Sequence, residues 1–173
     1  VYDVIVAMGN VVKKSYKKAR HYWTLAADRG DAKANYNLGI LYFNGYGVKR
    51  DLDAAEYHFR RAAEGDDLKA LNILAELYKN GDHFPQDLER AHHYTQRAAN
   101  LGDARALYNL GVYYSTQADA AVSLPRAKSY FEAAAQQDFE PAHYALGLFY
   151  RDGLTVVVDK RLSKAHFKAA GKY

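Results

Sequence analysis

The stretch Ala34-Asn35-Tyr36-Asn37-Leu38-Gly39-Ile40-Leu41-Tyr42-Phe43-Asn44-Gly45-Tyr46-Gly47 decides the fold, because its framework returns three more times. Ala70, Leu74, Leu77, Tyr78 and Gly81 take the slots of Ala34, Leu38, Leu41, Tyr42 and Gly45. Ala106, Leu110, Tyr113 and Tyr114 follow, then Ala142, Leu146, Phe149, Tyr150 and Gly153. The anchoring alanines stand at 34, 70, 106 and 142, so the step is 36 residues throughout. A fixed step of this size marks a stacked array of repeated units, not a chain folded around one closed core.

A second helix type follows each copy. Ala19, Tyr22, Trp23, Ala26 and Ala27 are spaced i, i+3, i+4, i+7, i+8, which is one face of an α-helix. The pattern recurs as Ala55, His58, Phe59, Ala62, Ala63, as Ala91, Tyr94, Ala98, Ala99, and as Ala127, Tyr130, Phe131, Ala134, Ala135. A weaker copy holds Ser163, His166, Phe167 and Ala170. Each period therefore carries two helices, A and B. The A helices are expected over 1–9, 33–44, 69–80, 105–116 and 141–152, and the B helices over 15–29, 52–64, 88–100, 124–136 and 160–170. Ile5 and Gly9 stand 36 residues before Leu41 and Gly45, so the first A helix is expected to lack its beginning. The whole span 1–173 reads as one array: a partial first repeat 1–29, then 33–64, 69–100, 105–136 and 141–171.

Capping residues hold the same register. Asp51, Asp87, Ser123 and Asp159 precede the B helices, and Asp31, Asp67 and Asp103 precede the A helices. A short acceptor side chain there takes up free N–H groups of the first turn. Pro125 and Pro141 are expected in first turns, where a missing N–H costs little. Gly45, Gly81 and Gly153 suit the left-handed residue that ends a helix. Each connecting loop carries an apolar residue at one place, Val48, Phe84 and Val156, expected to tuck the loop onto its helix pair. The third loop departs, with Gln117 for the glycine and Ala120 as its plug. Gly39, Gly111 and Gly147, with Ala75 in the second copy, mark where helix A approaches its neighbour closely.

Composition sets outer limits. The 173 residues are 49% hydrophobic, enough to bury a core, and include no cysteine, which excludes disulfides and thiolate metal sites. The net charge of +4 is mildly basic and gives weak support to an anionic partner, since scattered lysines on helices are usually solvated faces. No apolar run reaches the length of a membrane span.

These residues resemble a Sel1-like repeat, a relative of the tetratricopeptide repeat. The shared pattern is Ala-x-x-x-Leu-Gly-x-Leu-Tyr-x-x-Gly-x-Gly-Val, then Asp, then Ala-x-x-Tyr/Phe and a closing Ala-Ala, and 34–63 matches it almost completely. The resemblance implies an all-α fold, a right-handed α-solenoid of antiparallel helix pairs, and an adaptor that holds another protein or peptide. By similarity to tetratricopeptide arrays, the A helices would line the concave face. The inward slots would be Tyr36, Ile40 and Phe43, then Asn72, Glu76 and Lys79, then Tyr108, Val112 and Ser115, then Tyr144, Leu148 and Arg151. These slots vary between copies while the framework does not, which suits a recognition surface and equally suits idle surface. Tyr36, Tyr108 and Tyr144 would be amphipathic anchors, or padding for the solenoid, and Asn72, Glu76, Lys79 and Arg151 polar selectors. The terminal helices, with Phe167, Ala170 and Tyr173, offer a second surface for self-association.

Reaction chemistry is not visible. Ser15-Tyr16-Lys17-Lys18 matches Ser-x-x-Lys, but Ser15 falls in the cap slot of a B helix and lacks the companion motifs of a hydrolase. His58 and His166 share a slot with tyrosines and read as packing rings, and no histidine pair has metal-binding i, i+4 spacing. The block Lys13, Lys14, Lys17, Lys18, Arg20 could meet an acidic surface or nucleic acid, yet the inner slots lack the polar code residues that RNA-reading repeats use. The expectation is a non-enzymatic binding module without cofactor or metal.

Overall fold

The computed structural model describes residues 2–155 and 157–171, with side chains from residue 15 onward. Every regular element among these residues is an α-helix: α1 (Tyr2–Ala27), α2 (Ala32–Asn44), α3 (Leu52–Glu64), α4 (Leu68–Asn80), α5 (Leu88–Asn100), α6 (Ala104–Ser115), α7 (Ala120–Ala135), α8 (Glu140–Asp152) and α9 (Lys160–Ala169). The chain divides into two compact units, Val1–Tyr94 and Thr95–Tyr173. In the first, α2 pairs with α3, while α1 packs on α2 and α4 on α3. In the second, α6 pairs with α7 and α8 with α9, and α7 packs on α8.

The same hydrogen bonds close each copy. Asp31, Asp67 and Asp103 accept from the N–H groups of Ala34, Ala70 and Ala106 at 2.6, 2.9 and 2.8 Å. Asp51, Asp87 and Asp159 cap α3, α5 and α9 in the same way. Gly45, Gly81 and Gly153 end their helices at φ of 73°, 76° and 68°. The N–H groups of Asp51, Asp87 and Asp159 then donate back to the carbonyls of Tyr42, Tyr78 and Tyr150. These bonds hold each short connection against its helix pair. A second left-handed position ends the B helices, and there glycine alternates with aspartate: Gly30, Asp66, Gly102, Asp138.

Two expectations about boundaries are corrected. The first A and B helices, 1–9 and 15–29, are one continuous helix, so Ser15 is no cap and Gly9 no helix end. A lone glycine costs a helix only about 1 kcal/mol. The span 10–14 lacks the second glycine and the capping aspartate that stop the chain at 45–51. The side-chain role given to Ile5 lies outside the described residues, as do those of Val156 and Tyr173. The second correction is in the third copy, where α7 starts at Ala120, not at 124. Gln117 cannot supply the left-handed turn that glycine gives, and the run Ala120-Ala121-Val122 extends the helix backwards. Ser123 therefore sits inside α7 with a buried hydroxyl that finds no partner, and Pro125 is an interior residue. Ala120 is exposed and plugs nothing, while Phe84 is buried against the Tyr78 ring.

The pairs are held by rings set into glycines. A Cβ added at Gly39 would lie 2.4 Å from Phe59, at Gly111 2.5 Å from Phe131, and at Gly147 2.7 Å from Phe167. The phenylalanine of each B helix thus fills the space that a side chain on helix A would need. Phe59 is 0% exposed, and burying such a ring contributes about 1.5–3 kcal/mol. The second copy breaks the pattern at both places together: Ala75 replaces glycine and Thr95 replaces phenylalanine. One step along the same helices, a second ring pair stacks in every copy. Tyr42 lies parallel to His58, Tyr78 to Tyr94, Tyr114 to Tyr130 and Tyr150 to His166, with centroids 5.5–6.0 Å apart. Each stack adds about 0.5–1.5 kcal/mol beyond burial.

Gly39→Ala should therefore destabilise the chain by about 1–3 kcal/mol in urea unfolding, because the ring beside it cannot retreat. In a Phe59→Thr background the sign should reverse. There the same Gly39→Ala change should gain up to about 1 kcal/mol from helix propensity alone.

Candidate functional site

The inner slots lie on one face of each A helix because they are spaced i, i+4, i+7. In the first unit, Tyr36, Ile40 and Phe43 stand on α2 and Asn72, Glu76 and Lys79 on α4. In the second, Tyr108, Val112 and Ser115 stand on α6 and Tyr144, Leu148 and Arg151 on α8.

The tyrosines are braced from beneath. Tyr36 leans on Phe59 with centroids 6.0 Å apart, Tyr108 on Phe131 at 5.6 Å and Tyr144 on Phe167 at 5.5 Å. These are the phenylalanines that fill the glycine spaces. Tyrosine, glycine and phenylalanine thus form one set per copy, and in the second copy all three change, to Asn72, Ala75 and Thr95. Tyr36 also carries the Lys69 ammonium 5.9 Å from its ring centroid. Burial, and then the Asp67 carboxylate, push its phenol pKa up, so it stays a neutral donor. Tyr108 is clamped from a second side by Phe139 at 5.6 Å. Phe139 takes the slot that holds the capping aspartate in other copies, and α8 has no side-chain N-cap in consequence. Tyr144 remains 43% exposed.

The remaining slots differ in availability. Phe43 is half-buried under the Arg50 guanidinium, which lies 5.5 Å from its ring centroid, and His83 meets it edge-on at 5.0 Å. Arg50 also donates from Nε to the Phe43 carbonyl at 2.9 Å, and Gln86 does the same to Lys79. Glu76 and Lys79 are exposed, Ile40, Asn72 and Leu148 half-buried, and Val112 39% exposed. Ser115 turns its hydroxyl back to the Val112 carbonyl at 2.8 Å. Arg151 is paired through two hydrogen bonds, 2.6 and 2.9 Å, with the adjacent Asp152. That pairing holds the guanidinium protonated and keeps the carboxyl pKa low. Arg151 is thus already engaged on its own helix.

Two polar contacts were not foreseen from the sequence. Asn35 Oδ1 lies 3.0 Å from His58 Nδ1, and His143 Nδ1 lies 3.0 Å from His166 Nδ1. Both pairs occupy the same two slots, which hold Leu71 with Tyr94 and Leu107 with Tyr130 elsewhere. The paired exchange was present in the sequence as a signal. His58 and His166 are packing rings as expected, and each also takes a polar partner.

Among the described residues, no group of three or more histidine and carboxylate side chains could hold a metal ion. Ser15 is an exposed residue within α1, as are Lys17 and Lys18. The most perturbed phenol, Tyr78, is buried, donates to Glu56 Oε1 and lies under the Arg90 guanidinium. Burial first, and then the Glu56 bond, push it up to about 12. Such a phenol is a structural donor and no base at neutral pH.

A model of the family described as Sel1 repeat matches residues 7–31, 32–67, 68–103, 104–139 and 140–172. The fold is similar to that of the protective antigen c5321 of uropathogenic Escherichia coli, described as displaying an SLR fold, with a TM-score of 0.77 and 31% identity. That likeness covers 88% of this chain and 33% of the antigen. A Sel1 repeat protein from Oxalobacter formigenes is similar at a TM-score of 0.76 and 28% identity, over 96% of this chain and 70% of that one. The ERAD-associated E3 ubiquitin-protein ligase component HRD3B of Arabidopsis thaliana is 50% identical over 38 residues, 22% of this chain and 6% of the plant protein. The chain thus spans a small part of HRD3B and a third of c5321. Among the described residues, no helix is long and apolar enough to cross a membrane.

Alkaline titration offers a check on the Tyr78 contact. An unfolded tyrosine ionises near pH 10 and the folded one near 12, so folded stability should fall as pH rises through that window. Tyr78→Phe should flatten the fall, measured as urea midpoint against pH.

Proposed function

Because the chain belongs to the Sel1 repeat family, whose members are generally protein–protein interaction scaffolds, we propose that it is a non-enzymatic adaptor holding a partner peptide or protein on the inner slots of its A helices. The observation that supports this reading is the bracing of Tyr108 and Tyr144. Both rings rest on a buried phenylalanine, while Tyr144 keeps much of its surface open. An aromatic side chain held in place before binding loses little rotamer freedom when a partner arrives. Val112 and Leu148 extend the same faces with apolar surface. On the first unit, Tyr36 and Phe43 would be the anchors, with Asn72, Glu76 and Lys79 as selectors. Arg151 would contribute only if a partner carboxylate displaced Asp152. The match to the ubiquitin-ligase component is about one repeat long, so it supports the repeat and not the ligase role.

The test is a double substitution, Tyr108→Ala with Tyr144→Ala, in a chain whose helix content is checked by circular dichroism. Proteins recovered from cell extract by the intact chain should bind the variant at least about tenfold more weakly, the scale of one lost interface anchor. Tyr57→Ala, at a ring 59% exposed on α3, should leave recovery unchanged. Equal binding by the intact chain and the double variant would remove the inner slots from consideration.

A further inference from the structure

The joint between A and B helices is built in three chemical versions. Two copies use leucine against tyrosine, at Leu71 with Tyr94 and Leu107 with Tyr130. The α2–α3 pair uses an amide against an imidazole, Asn35 with His58. The α8–α9 pair sets two imidazoles against each other, with Nδ1 of His143 3.0 Å from Nδ1 of His166.

The three versions differ in their response to acid. Leucine with tyrosine has nothing to titrate near neutrality. A protonated His58 can still donate Nδ1–H to the Asn35 oxygen. Between two Nδ1 atoms there is room for one hydrogen only. One ring donates and the other accepts, and the pair can carry a single positive charge without losing the contact. A second proton leaves two N–H donors and two like charges facing each other.

The surroundings do not relieve that conflict. Tyr150 of α8 stacks on His166 with centroids 5.6 Å apart and planes 8° from parallel, closing one side of the ring. From α7, Glu132 would favour a charge on His166 and Lys128 opposes it, and these two are ion-paired with each other. Burial first, and then His143, lower the His166 pKa below the ordinary value. An unfolded histidine takes its proton near pH 6.5 while the folded one resists, so stability is lost as pH falls below that value. His58 is also lowered by burial, with the Asp28 carboxylate acting the other way, so the Asn35 joint is a comparison with a buried imidazole and no second one.

We propose that the His143–His166 contact is an acid-sensitive latch, which holds α9 on α8 at neutral pH and loosens it in mild acid well before the α2–α3 joint loosens. The proposal does not rest on the inner slots binding a partner, although Phe167, which braces Tyr144, lies on α9.

Hydrogen exchange on the intact chain, at about pH 7.5 and about pH 5 with rates corrected for intrinsic chemistry, tests it. Protection of α9 amides should fall about tenfold or more relative to those of α3. His143→Asn, which copies the α2–α3 joint, should reduce the loss in α9 to that of α3. His143→Leu with His166→Tyr, which copies the other joints, should abolish it. Equal protection of α9 at both pH values, or an equal loss in wild type and His143→Asn, overturns the proposal. Should a variant be too unstable to compare, the wild-type imidazole resonances decide. The His166 ring should titrate below the ordinary histidine value, and titration at that ordinary value overturns the latch as well.

Discussion

A benzene ring pressed into the place of a missing side chain is the contact on which the rest depends. Phe59, Phe131 and Phe167 lie where a Cβ on Gly39, Gly111 or Gly147 would have to be. The glycine lets the backbones of the two helices come close, and the ring makes that approach favourable by leaving water. Three helix pairs share it, and the α4–α5 pair, with Ala75 and Thr95, does without it. The stacked rings at Tyr42 and His58, and their counterparts, lie alongside, and the Tyr78–Tyr94 stack forms even where the glycine and phenylalanine are absent. The inner tyrosines rest on its upper edge. The second copy shows that the contact is a unit, because ring, glycine and tyrosine are replaced together.

Much of this was legible in the residues, because a repeat compares itself. The 36-residue step, the capping aspartates and the terminal glycines located α2 to α6, α8 and α9 to within about one residue. Failures fell where a copy departs from the pattern. Without a second glycine and a capping aspartate, residues 10–14 continue a helix that was expected to break. Without a glycine at 117, α7 reaches back past Ser123 and buries a hydroxyl meant as a cap. Alignment with the other copies had promised a cap at that slot, but local helix propensity decided otherwise.

The candidate face was legible only by register. Periodicity placed Tyr36, Tyr108 and Tyr144 in equivalent slots, yet it could not separate an anchor from a filler. In the structure each tyrosine leans on a phenylalanine, Tyr36 and Tyr108 are half-buried, and Tyr144 alone of the three is exposed. The engagement of Arg151 by Asp152 was hidden for a different reason. Adjacent residues on a helix do not normally face each other, and this pair meets only at the last turn of α8, where the side chains are exposed and free to turn.

The triple exchange of tyrosine, glycine and phenylalanine divides the face into two kinds of position for anyone wishing to engineer it. The Tyr36, Tyr108 and Tyr144 slots are not independently editable, since each draws its posture from residues on two helices. Ile40, Glu76, Val112 and Leu148 carry no such obligation, and Glu76 and Val112 already point outward. Substitutions at Glu76 and Val112 would change the chemistry of the candidate face with the least disturbance of packing.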